Sequence, residues 1–283
     1  MTLIAPDLPA AERLRRQRIF ESPLVDIGVF SAPAKSRYFG PQAPPGHFTV
    51  AFPSTAVGIR SALGSDFVTD RNLVTYYEPS DAYERILVDP RGDNCTFFAP
   101  SAELVQEFAS AAGLQRGGGR IFGKAFGQSD TATFHRQRRL VDALRTGPAP
   151  VDWVEQEALL VLDGLAGQAR SSTRSNVTPA ARRHARRARE YLACHYANAP
   201  DLSAIADAAG CSVFHLSRSF KAEYGYTVHA YRVELALRDA HDQVMDGGRR
   251  LTDVACDLGF SSHSHLTATF ARRFGVLPSR LRG

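Results

Sequence analysis

The 283-residue chain has no apolar run approaching the roughly 20 residues of a membrane-spanning helix, so no membrane partner is expected. Its four cysteines, Cys95, Cys194, Cys211 and Cys256, are scattered without C-x-x-C spacing. That favours reduced thiols over a redox sensor, which needs an exposed thiol of low pKa; Cys211 and Cys256 fall inside helical patterns, where cysteine packs as a small apolar residue. Only one histidine, His47, lies between residues 19 and 99, whereas a metal site on facing strands needs clustered His and Glu ligands. Lysine is scarce as well: of 34 basic residues, only Lys35, Lys124 and Lys221 are lysine. Arg13, Arg15, Arg16 and Arg18 are not followed by an apolar segment, so a secretory signal is not expected and a cytoplasmic location is. No catalytic residue, metal ligand or cofactor is required by this pattern.

What is present is unevenly placed. The length suits two domains, and their charges differ. From Ser171 onward there are 16 basic and 10 acidic residues, a net +6, whereas the first 170 residues carry 18 and 19, a net −1. A basic C-terminal part beside a near-neutral N-terminal part fits one nucleic-acid module and one with another task.

The C-terminal part contains the same helical unit twice. Leu202, Ala206 and Gly210 return 49 positions later as Leu251, Ala255 and Gly259. Leu216, Phe220 and Gly225 return 50 positions later as Leu266, Phe270 and Gly275. The one-residue difference falls in a turn, where insertion is best tolerated. In the first copy Leu202, Ile205 and Ala206 share one helix face, Gly210 stops that helix, Ser212 caps the next, and Leu216 and Phe220 point inward. That leaves Val213, Phe214, Ser217, Arg218 and Lys221 facing out near the second helix's start. The second copy leaves Ser262, His263, Ser264, Thr267, Ala268, Arg272 and Arg273. In a helix-turn-helix these positions reach base edges and phosphates in the major groove. Val233, Leu237, Ala240 and Val244, spaced 4, 3 and 4, mark one helix from about Val228 to Met245 that would hold both units about one DNA turn, roughly 34 Å, apart.

The segments G-C-S-V-F-H-L-S-R-S-F-K, A-C-D-L-G-F-S-S-H-S-H-L, F-G-V and P-S-R-L-R, spread from Arg182 to the end, resemble the AraC/XylS family of bacterial transcription regulators. The resemblance implies recognition helices at 213–224 and 262–274, contacts to DNA from Phe214, Ser217 and Arg218 and from Ser264, Thr267 and Ala268, activation through RNA polymerase, and a homodimer. Members of that family often carry arginine where this chain has Ala236 and Ala268, and a basic residue where it has Ala271. The second unit is therefore expected to read DNA through His263, Ser264, His265 and Thr267, with affinity resting on Arg272 and Arg273. The run R-R-H-A-R-R-A-R at 182–189 is either a phosphate-contacting patch, with Arg186 and Arg187 foremost, or the solvated face of a helix.

From about Ile19 to Ala99 short apolar runs alternate with Pro, Gly, Asp and Asn, the pattern of a sandwich or jelly-roll barrel; the resemblance implies a cupin-like sensor. Phe48, Phe52, Tyr76, Tyr77, Phe97 and Phe98 either line a pocket for a small-molecule effector or fill the barrel. From Ser101 to Arg170 the period turns helical, with Ser129 and Asp130 as caps. These helices either make the dimer or cover the barrel. G-G-G at 117–119 reads as a joint, and S-S-T-R-S-N at 171–176 as a linker.

The expected fold is thus α+β and multidomain. A cupin-like sensor at 1–100 leads into a helical dimerisation segment at 101–170 and a linker at 171–181. A DNA-binding all-α domain at 182–283 then carries two helix-turn-helix motifs joined by a linking helix. The competing functions are a cupin-type isomerase or oxygenase with a helical appendage, and a DNA-binding regulator without a ligand.

Overall fold

A computed structural model describes residues 15–61, 66–111, 121, 124–171 and 177–281. The glycines at 117–119 and the linker residues 172–176 lie outside them. The chain divides into two compact units, Met1–Ser172 and Thr173–Gly283.

The first unit is built on two antiparallel sheets. Strands β1 (Arg15–Glu21), β2 (Val25–Ala32), β4 (Thr49–Pro53), β7 (Leu73–Tyr77), β9 (Asp93–Pro100) and β10 (Phe126–Gln128) form a six-stranded sheet in the order β1-β2-β9-β4-β7-β10. Strands β3 (Gly40–Gln42), β5 (Val57–Ser61), β6 (Phe67–Val68) and β8 (Tyr83–Leu87) form the second, in the order β3-β8-β5-β6. Three helices follow the main run of strands: α1 (Ala102–Ala111), α2 (Thr131–Thr146) and α3 (Val151–Ser171). Asp130 caps α2 by accepting from the Thr133 N–H at 2.7 Å.

Side-chain alternation explains how the larger sheet is buried on both faces. Val25 and Ile27 of β2, Val50 and Phe52 of β4 and Phe98 of β9 share a core with Val105 of α1, Leu140 and Val141 of α2 and Val154, Val161 and Leu165 of α3. Phe30, Ala32, Ala51 and Phe97, one residue out of phase, face the other way and pack with Tyr38, Tyr77 and Cys95. The helices therefore cover the sheet, and residues on both sides of position 100 share one core. Between them β10 pairs with β7, Phe126 opposite Thr75 and Gln128 opposite Leu73.

The six aromatics, read either as a pocket lining or as barrel filling, do not face one common space. Phe48, Phe52, Tyr76 and Phe98 belong to the helix-covered core, while Phe97 and Tyr77 belong to the opposite face. They fill the interior because period-2 alternation sends neighbours to opposite sides. The second cluster abuts a buried cation: Arg85 of β8 places its guanidinium 4.6 Å from the Phe30 ring and 4.8 Å from that of Tyr38. Its Nε lies 2.9 Å from Asp93 Oδ2 of β9. This pair joins the two sheets. The open space lies elsewhere. A cavity of about 540 Å³ is bounded by β1, β2, β9 and α2 and lined by polar groups, among them Gln17, Ser31, Asn94, Thr96, Arg138 and Arg145.

The second unit consists of α4 (Pro179–His195), α5 (Leu202–Ala209), α6 (Val213–Tyr224), α7 (Val228–Met245), α8 (Leu251–Asp257) and α9 (His263–Phe274), with short 3₁₀ turns at Tyr196–Asn198 and Pro278–Arg280. It begins a little before the expected residue 182, because Thr178 caps α4 and Pro179 takes its first position. The linking helix α7 has the expected bounds but not the expected single stripe. Leu237, Ala240 and Val244 are buried, and so are Arg232, Glu234, Arg238, Asp239, His241 and Asp242 on its other faces. It runs through the centre of one core shared by both repeats, from Ile205, Leu216 and Phe220 to Val254, Leu266 and Phe270. Its polar groups are tied into the structure. Tyr196 Oη donates to Asp239 Oδ2 at 2.5 Å, and Arg232 Nη1 donates to the Tyr196 carbonyl at 3.1 Å.

The four cysteines are free. Cys256, expected to pack inward, is exposed, and Cys211 is half-buried. Among the described residues no helix is long and apolar enough to cross a membrane, and no group of three His, Cys, Asp or Glu side chains is placed to hold a metal ion.

Candidate nucleic-acid interface

Each repeat forms two short helices around a glycine turn. In the first, Ile205 and Ala206 of α5 are buried, but Leu202, expected beside them, is 38% exposed. It occupies the first helical turn, where Asp201 caps the chain by accepting from the Ala204 N–H at 2.7 Å. Gly210 ends α5 at φ 71°, a left-handed conformation that glycine adopts without the strain a Cβ brings. Ser212 then caps α6, its hydroxyl accepting from the His215 N–H at 3.3 Å.

On α6, Leu216, Ser219 and Phe220 are buried, which turns the helix and exposes Val213, Phe214, His215, Ser217, Arg218 and Lys221. Phe214 is 64% exposed, and the Arg218 guanidinium lies over its ring at 5.5 Å. An apolar ring and a fork of N–H donors thus stand one turn apart on the same face, the two chemistries that read a thymine methyl and a guanine edge. His215 is exposed beside them and is not among the expected contacts.

The second repeat has the same plan. Val254 and Ala255 of α8 are buried, and Gly259 makes the turn at φ 69°. Ser262, expected as the first recognition residue, is the cap of α9 and accepts from the His265 N–H at 3.1 Å. Leu266 and Phe270 point inward, leaving His263, Ser264, His265, Ala268 and Arg272 exposed. Thr267 is half-buried and its hydroxyl oxygen is shielded from solvent. Arg273 is exposed as well but tied back to α7: its Nε donates to Glu234 Oε2 at 2.6 Å. Glu234 Oε1 also accepts from Arg238 Nε at 2.9 Å. Burial would raise the Glu234 pKa, but Arg238 and Arg273 outweigh it and hold the carboxylate below its ordinary 4.5. Arg273 thus fixes α9 to α7, and of the two expected cations only Arg272 faces outward without an ion pair among the described residues.

The basic run on α4 is divided in its contacts. Arg182 lies 3.3 Å from Glu223, Arg186 lies 3.8 Å from Glu190, and Arg189 is fully buried. His184 Nδ1 contacts the Ala209 carbonyl at 2.9 Å, which seats α4 against the end of α5.

A family model described as a helix-turn-helix domain matches residues 205–283. The regulator ExsA of Pseudomonas aeruginosa is 32% identical over 100 residues, 35% of this chain and 36% of that protein. The transcriptional activator RhaS of Escherichia coli O157:H7 is 30% identical over 92 residues, 32% of this chain and 33% of that protein. Residues 205–283 of the C-terminal unit are thus similar to a helix-turn-helix domain. A solved regulator from Chromobacterium violaceum with an AraC-type DNA-binding domain is 28% identical, covering 29% of this chain and 74% of that one at a TM-score of 0.29. The matched part of the chain spans about a third of the length of the curated relatives. Within this domain the two alanines that stand where arginine was expected differ in kind. Ala236 is fully buried in the core of α7, so it withholds nothing from DNA, whereas Ala268 is exposed on α9.

Proposed function

We propose that the chain is a sequence-specific transcription regulator that inserts α6 and α9 into successive major-groove faces of double-stranded promoter DNA. The observation that carries this is the pair of capped, outward-facing helix N-termini held by one buried helix. Phe214, Ser217, Arg218 and Lys221 are the readers of the first unit, with Ser212 and Val213 at its edge. Ser264, Ala268, His263 and Arg272 serve the second, with Ser262 as cap and Thr267 in a supporting place. The relatives are named as transcriptional regulators and activators, which favours this reading over a cupin-type isomerase or oxygenase. RhaS being an activator supports activation here, with RNA polymerase as partner and the cytoplasm as location. The exposed apolar side chains Trp153, Leu159 and Leu160 of α3 support a homodimer made by the helices of the first unit, and the cupin-like sensor reading gives the polar cavity beside α2 to a small-molecule effector.

Selection of duplexes from a random pool by the full-length protein tests the central reading. The expected product is a site with two half-sites whose centres lie about 10–10.5 bp apart. Failure to enrich any sequence would reject it.

A further inference from the structure

We infer that Arg183 and Arg187 of α4 form a phosphate clamp beside the first helix-turn-helix. This rests on the reading of the domain as a DNA binder.

Four arginines on the α4 run are exposed: Arg182, Arg183, Arg186 and Arg187. Arg182 is engaged by Glu223 at 3.3 Å and Arg186 by Glu190 at 3.8 Å. Arg183 and Arg187 have no carboxylate partner among the described residues. They are four positions apart and so share one helix face, about 6 Å apart along the axis. The end of that face is placed by two contacts. His184 meets the Ala209 carbonyl at 2.9 Å, and a Cβ built on Gly210 would lie 3.4 Å from Arg187 Nη1.

Gly210 is the turn that leads directly into Ser212, the cap of α6. When a recognition helix enters the major groove by its N-terminus, the helix before it crosses the sugar-phosphate backbone, which brings the turn between the two close to phosphates. Arg187 stands at that turn, and Arg183 one helical turn further along the same face. Each carries a guanidinium able to bond phosphate oxygens with two N–H groups, and each is free to do so because the acids on this surface are taken up by its neighbours. Such a clamp fixes register and adds affinity equally on all sequences.

The test measures affinity against salt concentration for the full-length protein on a random-sequence duplex and on a duplex enriched from a pool. Each neutralised phosphate contributes about −0.9 to the slope of log K against log salt. Arg183→Ala/Arg187→Ala should therefore flatten the slope by about 1.8 on both duplexes, leaving the preference between them unchanged. Arg186→Ala should leave the slope as it is, and Arg183→Lys/Arg187→Lys should restore it, which separates loss of charge from loss of fold. An unchanged slope in the double alanine variant, or an equal change from Arg186→Ala, overturns the clamp. If the unaltered protein binds neither duplex, the DNA-binding reading falls first and the clamp with it.

Discussion

Replacing Glu234 with alanine should destabilise the C-terminal unit by about 3–5 kcal/mol, the range for removing one partner of a buried ion pair. The magnitude is set by the charges left behind. Arg238 is 1% exposed and donates to Glu234 at 2.9 Å; without the carboxylate that ion pair is lost where water has almost no access. Arg273, bonded at 2.6 Å, is 37% exposed and can turn back to solvent, so Arg273→Ala should cost about 1 kcal/mol or less. Urea unfolding of the full chain measures both. The single tryptophan, Trp153, sits on α3 of the first unit, so its fluorescence follows that unit while far-ultraviolet circular dichroism follows both. The loss should appear in the dichroism and not in the fluorescence. Acid adds a second readout. Because the folded Glu234 has a pKa below its ordinary 4.5, the unfolded chain binds the proton first as pH falls. The contribution is complete above about pH 4.5 and is lost as pH drops through the folded value. Glu234→Gln should flatten that acid limb. A cost under about 1 kcal/mol for Glu234→Ala, or equal costs for it and Arg273→Ala, would refute the reasoning.

Arg218→Ala should cost about 1–3 kcal/mol on an enriched site and relax the base preference at one position; an equal loss on random duplex would reduce Arg218 to a backbone contact. Gly259→Ala should lower the melting temperature more than Gly275→Ala. Both have positive φ, but a Cβ at 259 would lie 2.7 Å from the Ala199 Cβ and one at 275 meets nothing, so equal shifts would discount that contact. Thermal unfolding of the full chain against a panel of metabolites tests the effector: a ligand at 100 times its Kd stabilises by about 2.7 kcal/mol, and Thr96→Leu in the cavity wall should abolish the shift. A flat panel favours a regulator controlled by its own abundance. Leu160→Glu should shift sedimentation towards monomer if α3 makes the dimer.

The helical units are legible in the sequence because their signals are local. Glycines at the turns, serine caps and i, i+4 apolar pairs all act within a dozen residues, and α6 and α7 begin and end where those signals put them. The elements that escape are made by distant partners. Strand β1, rich in arginine, is held at a sheet edge by pairing with β2, and charge on an edge strand protects it rather than forbidding it. Strand β10 is three residues long and has no period of its own; it exists because β7 offers a free edge. Arg273 looks like a phosphate ligand by position, and only the fold brings Glu234, 39 residues away in sequence, against it. The aromatics of the first unit are apolar enough for a pocket, and strand phase alone, invisible until pairing is known, divides them between two faces.

The burial of α7 on nearly every side makes it a ruler. Each residue added to or removed from a helix turns the downstream chain by about 100° and shifts it by about 1.5 Å. On the proposed reading, an insertion within α7 would therefore swing α9 off the face of DNA that α6 addresses, and it would tear a core both repeats share. Substitutions on the exposed sides of α6 and α9 meet no such barrier. If the chain reads DNA as proposed, a lineage carrying this domain can drift freely in which bases it prefers while the interval between the two half-sites stays locked; its targets should then diversify in letters and not in spacing.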